Sequence, residues 1–230
     1  MLCYTYHIVI KAVVIDLDDT LCLTEEACFD MENEVLVKMG LKPMSRDIHI
    51  STWGKPLFEA ILLRSPGLDL DKFKKVYAPT IKQYTSSGEL DDIPQKNLDA
   101  LDELIEIGKT ICILTSRTHG ELIHLLEPDH ALSKRVKTFY YRDNMQYHKP
   151  DPRAFNEFFK HYNLKPSESV YIGDSISDAV AAKKAGLHFI ASLESGLRTK
   201  KDFSHLPVDR FVDKFYEIVL AIKSLEGTTD

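Results

Sequence analysis

Four short apolar runs break off at, or lead into, polar residues, and this feature constrains the fold most. "AVVID" ends at Asp16, and Asp18 and Asp19 follow within "DLDDT". "TICILT" ends at Thr115 with Ser116 next, "VKTFYY" leads into the loop carrying Lys149, and "SVYIGD" ends at Asp174. Runs this short and apolar, many of them β-branched, read as buried strands. Helical patterns lie between them, at 94–108, near 119–127, at 151–163 with Pro152 in an early position, and at 176–186 ending on Gly186. Another strand is expected at 187–192, then a short strand and a final helix over 209–225. Such alternation makes a parallel sheet with helices on both faces, and ligands bind that sheet at the carboxyl ends of its strands. The polar residues therefore converge on one edge.

Residues 23–88 have a different texture. "TEEACFDMENEVLVKMG" has a capping-box order at Thr24, with Ala27 in place of the usual Glu, and stops at Gly40. A short helix is expected around Ser45, another at 55–64, and a longer one at 70–88 that can bend at Pro79 and stops at Gly88. The expected organisation is a discontinuous α/β core, residues 1–22 and 89–230, interrupted by an all-helical segment at 23–88.

Composition narrows the partners. At 44% hydrophobic and 28% charged, the chain can build an ordinary core. Its net charge of −6 argues against sequence-blind binding to nucleic acid or an anionic membrane, both of which need a basic face. Cys3, Cys22, Cys28 and Cys112 show no metal-ligand spacing, and Cys28 and Cys112 read as buried thiols, which suits a reducing, cytoplasmic setting. The N-terminal stretch lacks the charged region and cleavage site of a signal peptide and reads as a lead-in to the first strand. Nothing in the sequence reports the oligomeric state, whether monomer or small homo-oligomer.

Several carboxylates in one place repel and need a cation, and hard oxygen ligands without His or Cys select Mg²⁺. A lysine and a hydroxyl beside such a site suit a bound phosphate. A carboxylate held against phosphorus can act as nucleophile, and a second one two residues on can serve as general acid and then base.

This ordered set resembles the haloacid dehalogenase superfamily in its phosphatase branch. The likeness rests on Asp16, Asp18 and Thr20 in "DLDDTL", Thr115 in "ILTSR", Lys149 in "HKPDP", and Asp174 and Asp178 in "GDSISD". It covers nearly the whole chain. It implies a Rossmann-like core with residues 23–88 as an inserted helical cap. Asp16 would be nucleophile and metal ligand, Asp18 acid and base with its backbone carbonyl on the metal, and Asp174 the third protein ligand. Asp178 would position a metal-bound water or Lys149, and Thr115, the Ser116 amide and Lys149 would hold the phosphoryl group. Asp19 stands where the family often has glycine, and "DDIPQ" replaces its usual Pro-Gly.

Simpler readings stand beside these. Asp16 and Asp18 could form a surface turn, Lys149 could be solvated, and Asp178 could merely favour a helix dipole. Arg117 and His119 could touch substrate or lie exposed. Trp53 and Lys55 flank Gly54, and the likeness puts this segment near the site, where it would select the leaving group; Trp53 could equally be a core aromatic of the helical segment. Arg46 and His49 are weaker candidates there. The expected activity is Mg²⁺-dependent hydrolysis of a small phosphomonoester through an aspartyl-phosphate. The alternatives are a phosphosugar mutase like β-phosphoglucomutase and, from another class, a non-catalytic binding module; a dehalogenase needs neither the second aspartate nor the metal. Phosphoglycolate, a sugar phosphate and a nucleotide monophosphate all fit as substrates.

Overall fold

The computed structural model describes residues 9–227 of the 230. Cys3 and the expected lead-in at residues 1–8 lie outside the described residues. The apolar runs form the strands β1 (Ala12–Ile15), β2 (Thr110–Leu114), β3 (Thr138–Tyr140), β4 (Ser169–Gly173), β5 (His188–Ser192) and β6 (Arg210–Val212). All pair in parallel, in the order β3-β2-β1-β4-β5-β6. The winding reverses beside β1, between β2 on one side and β4 on the other, and a crevice opens at such a reversal. Ile15 pairs with Ile113 and with Ile172. In step with that register, Asp16 falls opposite Leu114 and Gly173, and Thr115 and Asp174 come one residue later.

Both sheet faces are covered, which is why the strands read as continuous apolar runs. On one face Val14, Cys112, Leu114, Tyr171 and Phe189 pack with Phe155, Phe158 and Phe203. On the other, Val13, Ile15, Ile111, Ile113, Val170 and Ile172 are equally buried.

The chain divides into two units, one made of the described residues of Met1–Leu21 and Ile93–Asp230, the other of Cys22–Asp92. The second unit is helical: α1 (Glu25–Lys38), α2 (Arg46–Thr52), α3 (Leu57–Arg64) and α4 (Leu70–Ser87). Thr24 precedes α1 without a side-chain cap, whereas the Ser45 hydroxyl accepts from the Ile48 amide and starts α2. Pro79 lies inside α4, which runs uninterrupted to Gly88, where a left-handed φ of 78° ends it. Val35, Leu36, Met39, Ile61, Leu68 and Phe73 form this unit's own core.

The sheet unit carries α5 (Gln95–Glu106), α6 (His119–Leu122), α7 (Asn156–Tyr162), α8 (Ile176–Ala185) and α9 (Ile218–Glu226). Two elements differ from expectation. The helix expected near 119–127 is one turn, followed by turns through residue 135; Pro128 disfavours helical backbone at residue 127, which bars the expected C-terminal end. The helix expected at 151–163 begins as a 3₁₀ turn, Pro152–Phe155, before α7. Cys28 is only partly buried, while Cys22 and Cys112 are buried. Among the described residues no helix is long and apolar enough to cross a membrane.

Gly173 matters where β4 meets α8. A Cβ built there would lie 2.6 Å from the Asp178 carboxyl carbon and 2.7 Å from its Cβ. Gly173→Ala should destabilise the protein by about 1–3 kcal/mol through overpacking, read as a lower urea midpoint at unchanged slope. A midpoint equal to that of the wild type would show that this approach tolerates a methyl group.

Candidate active site

The ends of β1 and β4 and the first turn of α8 place Asp16, Asp174 and Asp178 together, with one carboxylate oxygen of each within 4.8 Å of the others. All three are buried. Lys149, from the loop after β3, enters this cluster. Its Nζ lies 2.9 Å from Asp16 Oδ2 and 2.7 Å from Asp178 Oδ1, and donates to the Tyr171 hydroxyl at 2.9 Å. Three acceptors thus meet the three hydrogens of one buried ammonium.

Asp178 does two jobs with one carboxylate. Oδ1 meets Lys149 and accepts from Tyr171 at 3.2 Å. Oδ2 accepts from the Ser175 amide at 3.0 Å and hydroxyl at 2.6 Å, closing a capping box at the start of α8. Asp174 Oδ1 accepts from the Thr20 hydroxyl at 3.4 Å, and Asp16 Oδ1 from the Leu17 amide at 2.8 Å.

Tyr171 carried no role in the sequence reading. Its hydroxyl lies 3.1 Å from the Leu114 carbonyl at the end of β2, besides its contacts to Lys149 and Asp178. Burial first, then the charges of Asp16 and Asp178, pushes its ionisation well up, so it stays a neutral donor. The only signal available was one hydroxyl inside an apolar strand.

Electrostatics follow from burial. Burial, opposed by Lys149 and reinforced by Asp178 and Asp18, pushes the Asp16 carboxyl from 3.8 up to about 7. Burial and then Asp178, Asp19 and Asp16 push Asp174 well above the carboxylate range. Burial works against the Lys149 ammonium, but Asp16 and Asp178 outweigh it and hold the lysine protonated. With all three carboxylates ionised, the one lysine would leave two negative charges unanswered, and the upward shifts at Asp16 and Asp174 reflect that excess. An all-oxygen donor set of this charge fits a divalent cation.

The remaining candidates divide. Thr115 is buried at the end of β2; its amide donates to the Tyr140 carbonyl and its hydroxyl accepts from the Arg117 amide at 3.2 Å. Ser116 is exposed. Asp18 is held by Arg117, whose Nη2 lies 2.7 Å from Oδ1. Asp19 has a left-handed φ of 55°, a conformation that aspartate tolerates and glycine suits best. His119 is exposed, with its ring beside Tyr141.

In the helical unit, Lys55 is exposed and Trp53 half-buried, its ring centroid 5.1 Å from that of His49. Gly54 between them has a φ of 86°. His49 is fully buried with Nδ1 2.6 Å from Glu25 Oε1, and Arg46 pairs with the same Glu25.

A family model described as "Haloacid dehalogenase-like hydrolase" matches residues 13–192. The phosphoglycolate phosphatase of Rhodobacter capsulatus is 28% identical over 200 residues, spanning 83% of this chain and 88% of its own. The phosphorylated carbohydrates phosphatase of Thermotoga maritima is 27% identical over 199 residues, again 83% and 88%. The crystal structure of CbbY from Rhodobacter sphaeroides in complex with phosphate superposes with a TM-score of 0.76 at 21% identity, covering 94% of this chain and 100% of that one.

The shift at Asp16 predicts a pH dependence of stability in chelator-treated protein. The folded state keeps a proton that the unfolded chain releases. Its stabilising contribution is complete below about pH 4 and is lost as the pH rises through about 7. Asp16→Asn does not titrate. In EDTA its urea midpoint should therefore gain on that of the wild type between about pH 4 and 8; a constant difference would show that Asp16 titrates normally.

Proposed function

This chain belongs to the haloacid dehalogenase-like hydrolases, and we propose that it is a Mg²⁺-dependent phosphatase acting on a small phosphomonoester. The observation that carries this reading is the ammonium of Lys149 between Asp16 and Asp178, with Asp174 across the cluster. A buried carboxylate beside a fixed cation, at the mouth of a parallel sheet, suits attack on phosphorus.

In this mechanism the Asp16 carboxylate attacks phosphorus and the bond to the leaving oxygen breaks. Asp18 gives that oxygen a proton. Water then attacks the aspartyl-phosphate, Asp18 takes the proton from water, and the bond between phosphorus and Asp16 breaks to release inorganic phosphate. Lys149, the Thr115 hydroxyl and the Ser116 amide bind the phosphoryl oxygens. Mg²⁺, held by the Asp16 and Asp174 carboxylates and the Asp18 carbonyl, supplies charge neutralisation around the phosphoryl group. Asp178 keeps Lys149 in place.

Relatives named for phosphoglycolate and for phosphorylated carbohydrates support a small anionic or sugar-phosphate substrate. Both are named as phosphatases, so hydrolysis is preferred over the mutase reaction. We assign selection of the leaving group to the helical unit as a cap, through Trp53 and Lys55. A screen of phosphomonoesters identifies the substrate, and the same screen on Trp53→Ala and Lys55→Ala should reorder it; an unchanged order removes both residues from specificity.

EDTA should abolish turnover and Mg²⁺ restore it. Asp16→Asn should abolish turnover in a folded protein. Asp18→Asn should slow an alkyl phosphate by roughly 10²- to 10⁴-fold, and slow release from an activated aryl phosphate less, with an initial burst of aryl alcohol. Equal, complete loss for both esters with no burst would remove Asp18 from the acid and base role.

A further inference from the structure

We propose that Arg117 is a positioning residue for Asp18, with its guanidinium selecting the carboxylate orientation that exchanges a proton with the leaving group and then with water. This rests on the roles proposed above for Asp16 and Asp18. Lys149 is engaged with Asp16, Asp178 and Tyr171. The carboxylate of Asp18 has its own cation, supplied by a different loop.

The backbone of Arg117 is pinned on both sides. Its amide donates to Thr115 Oγ1 at 3.2 Å, and its carbonyl accepts from the Arg142 amide at 2.9 Å. The side chain is largely buried, at 10% exposure against 31% for Asp18. The arginine is thus the anchored member of the pair and the aspartate the adjustable one. Asp18 sits in the turn after β1, beside the left-handed Asp19. A carboxylate one-third exposed in a turn has several rotamers available, and a planar fork of donors favours one. Nη2 and Nε meet Oδ1 at 2.7 and 3.1 Å, while Nε meets Oδ2 at 3.2 Å. In turnover Oδ1 stays with the guanidinium and Oδ2 exchanges the proton. Because Arg117 also hydrogen-bonds Thr115, the residue proposed to hold the phosphoryl group, one short segment sets the acid relative to the phosphorus.

The test uses Arg117→Ala, Arg117→Lys, Asp18→Asn and the Arg117→Ala/Asp18→Asn double variant. Each is assayed with Mg²⁺ on an alkyl phosphate and an activated aryl phosphate, with inorganic phosphate as competitive inhibitor. Arg117→Ala should lower kcat for the alkyl ester by roughly 10- to 100-fold, and less for the aryl ester, because a displaced acid matters most where the leaving group needs its proton. KM and inhibition by phosphate should stay within about twofold, since a positioning residue acts on the transferred proton and not on ground-state binding. Arg117→Lys should recover part of the loss, an ammonium lacking the planar fork. In the Asp18→Asn background, removing Arg117 should cost less than about a further twofold.

A raised KM and weakened phosphate inhibition at unchanged kcat would make Arg117 a ligand-binding residue and overturn the proposal. So would equal losses with and without Asp18. Should Arg117→Ala fail to fold, the Lys variant carries the test, and wild-type kcat on the alkyl ester with Lys at 117 overturns it. A normal Asp18→Asn defect with a silent Arg117→Ala sinks this inference alone. A wild-type protein that hydrolyses neither ester, or an Asp18→Asn variant equal to wild type, sinks the proposed function itself.

Discussion

The ammonium of Lys149 is the interaction on which the site depends. Three carboxylates brought together inside a protein repel one another, and each loses hydration on burial. Lys149 answers two of them directly, through Asp16 and Asp178, and takes the Tyr171 hydroxyl as its third acceptor. Tyr171 in turn lies within hydrogen-bond reach of the Leu114 carbonyl. One side chain from the loop after β3 therefore ties the end of β1 to β4, and Tyr171 extends the link to the end of β2. A cation so placed is satisfied geometrically, and with every carboxylate ionised the cluster would still hold more negative than positive charge.

That formal excess sets the electrostatics of the region. Burial and mutual repulsion raise Asp16 and Asp174, which means the protein alone holds their charged forms poorly. Backbone detail serves the same arrangement. Gly173 leaves room for Asp178 to reach back over β4, and Asp178 caps α8 while holding the lysine. Asp19 turns the chain with a left-handed φ a few residues after β1. The left-handed φ of Asp19 departs from local preference, and such departures concentrate where a protein does chemistry.

The helical unit contains a second buried polar system with a different character. Glu32 meets Arg64 Nη1 at 2.7 Å, Arg64 Nε donates to Thr52, and His49 lies between Phe29 and Trp53 with Nδ1 on Glu25. Here the opposite charges lie in direct contact, which fastens α1, α2 and α3 together around polar groups as well as apolar ones. Arg46 and His49 are engaged in that system.

Sequence alone determined the α/β class, the parallel sheet and the position of every strand, because strands buried on both faces must be continuous apolar runs and their ends are marked by the first polar residue. The same logic brought Asp16, Thr115, Lys149 and Asp174 to one edge, since parallel strands in register end together. Local chemistry was legible where one residue decides it, as at Ser45, Gly88 and Gly186. It failed at residues 123–127, where helix was expected and the chain forms turns; Pro128 disfavours helical backbone at the last of these residues. Only the tertiary structure decided who partners whom. The pairing of Arg117 with Asp18, the Tyr171 hydroxyl against Lys149, and the double duty of Asp178 join residues distant in the chain. No periodicity encodes such contacts, because they depend on side-chain direction and on distances set by the packed sheet.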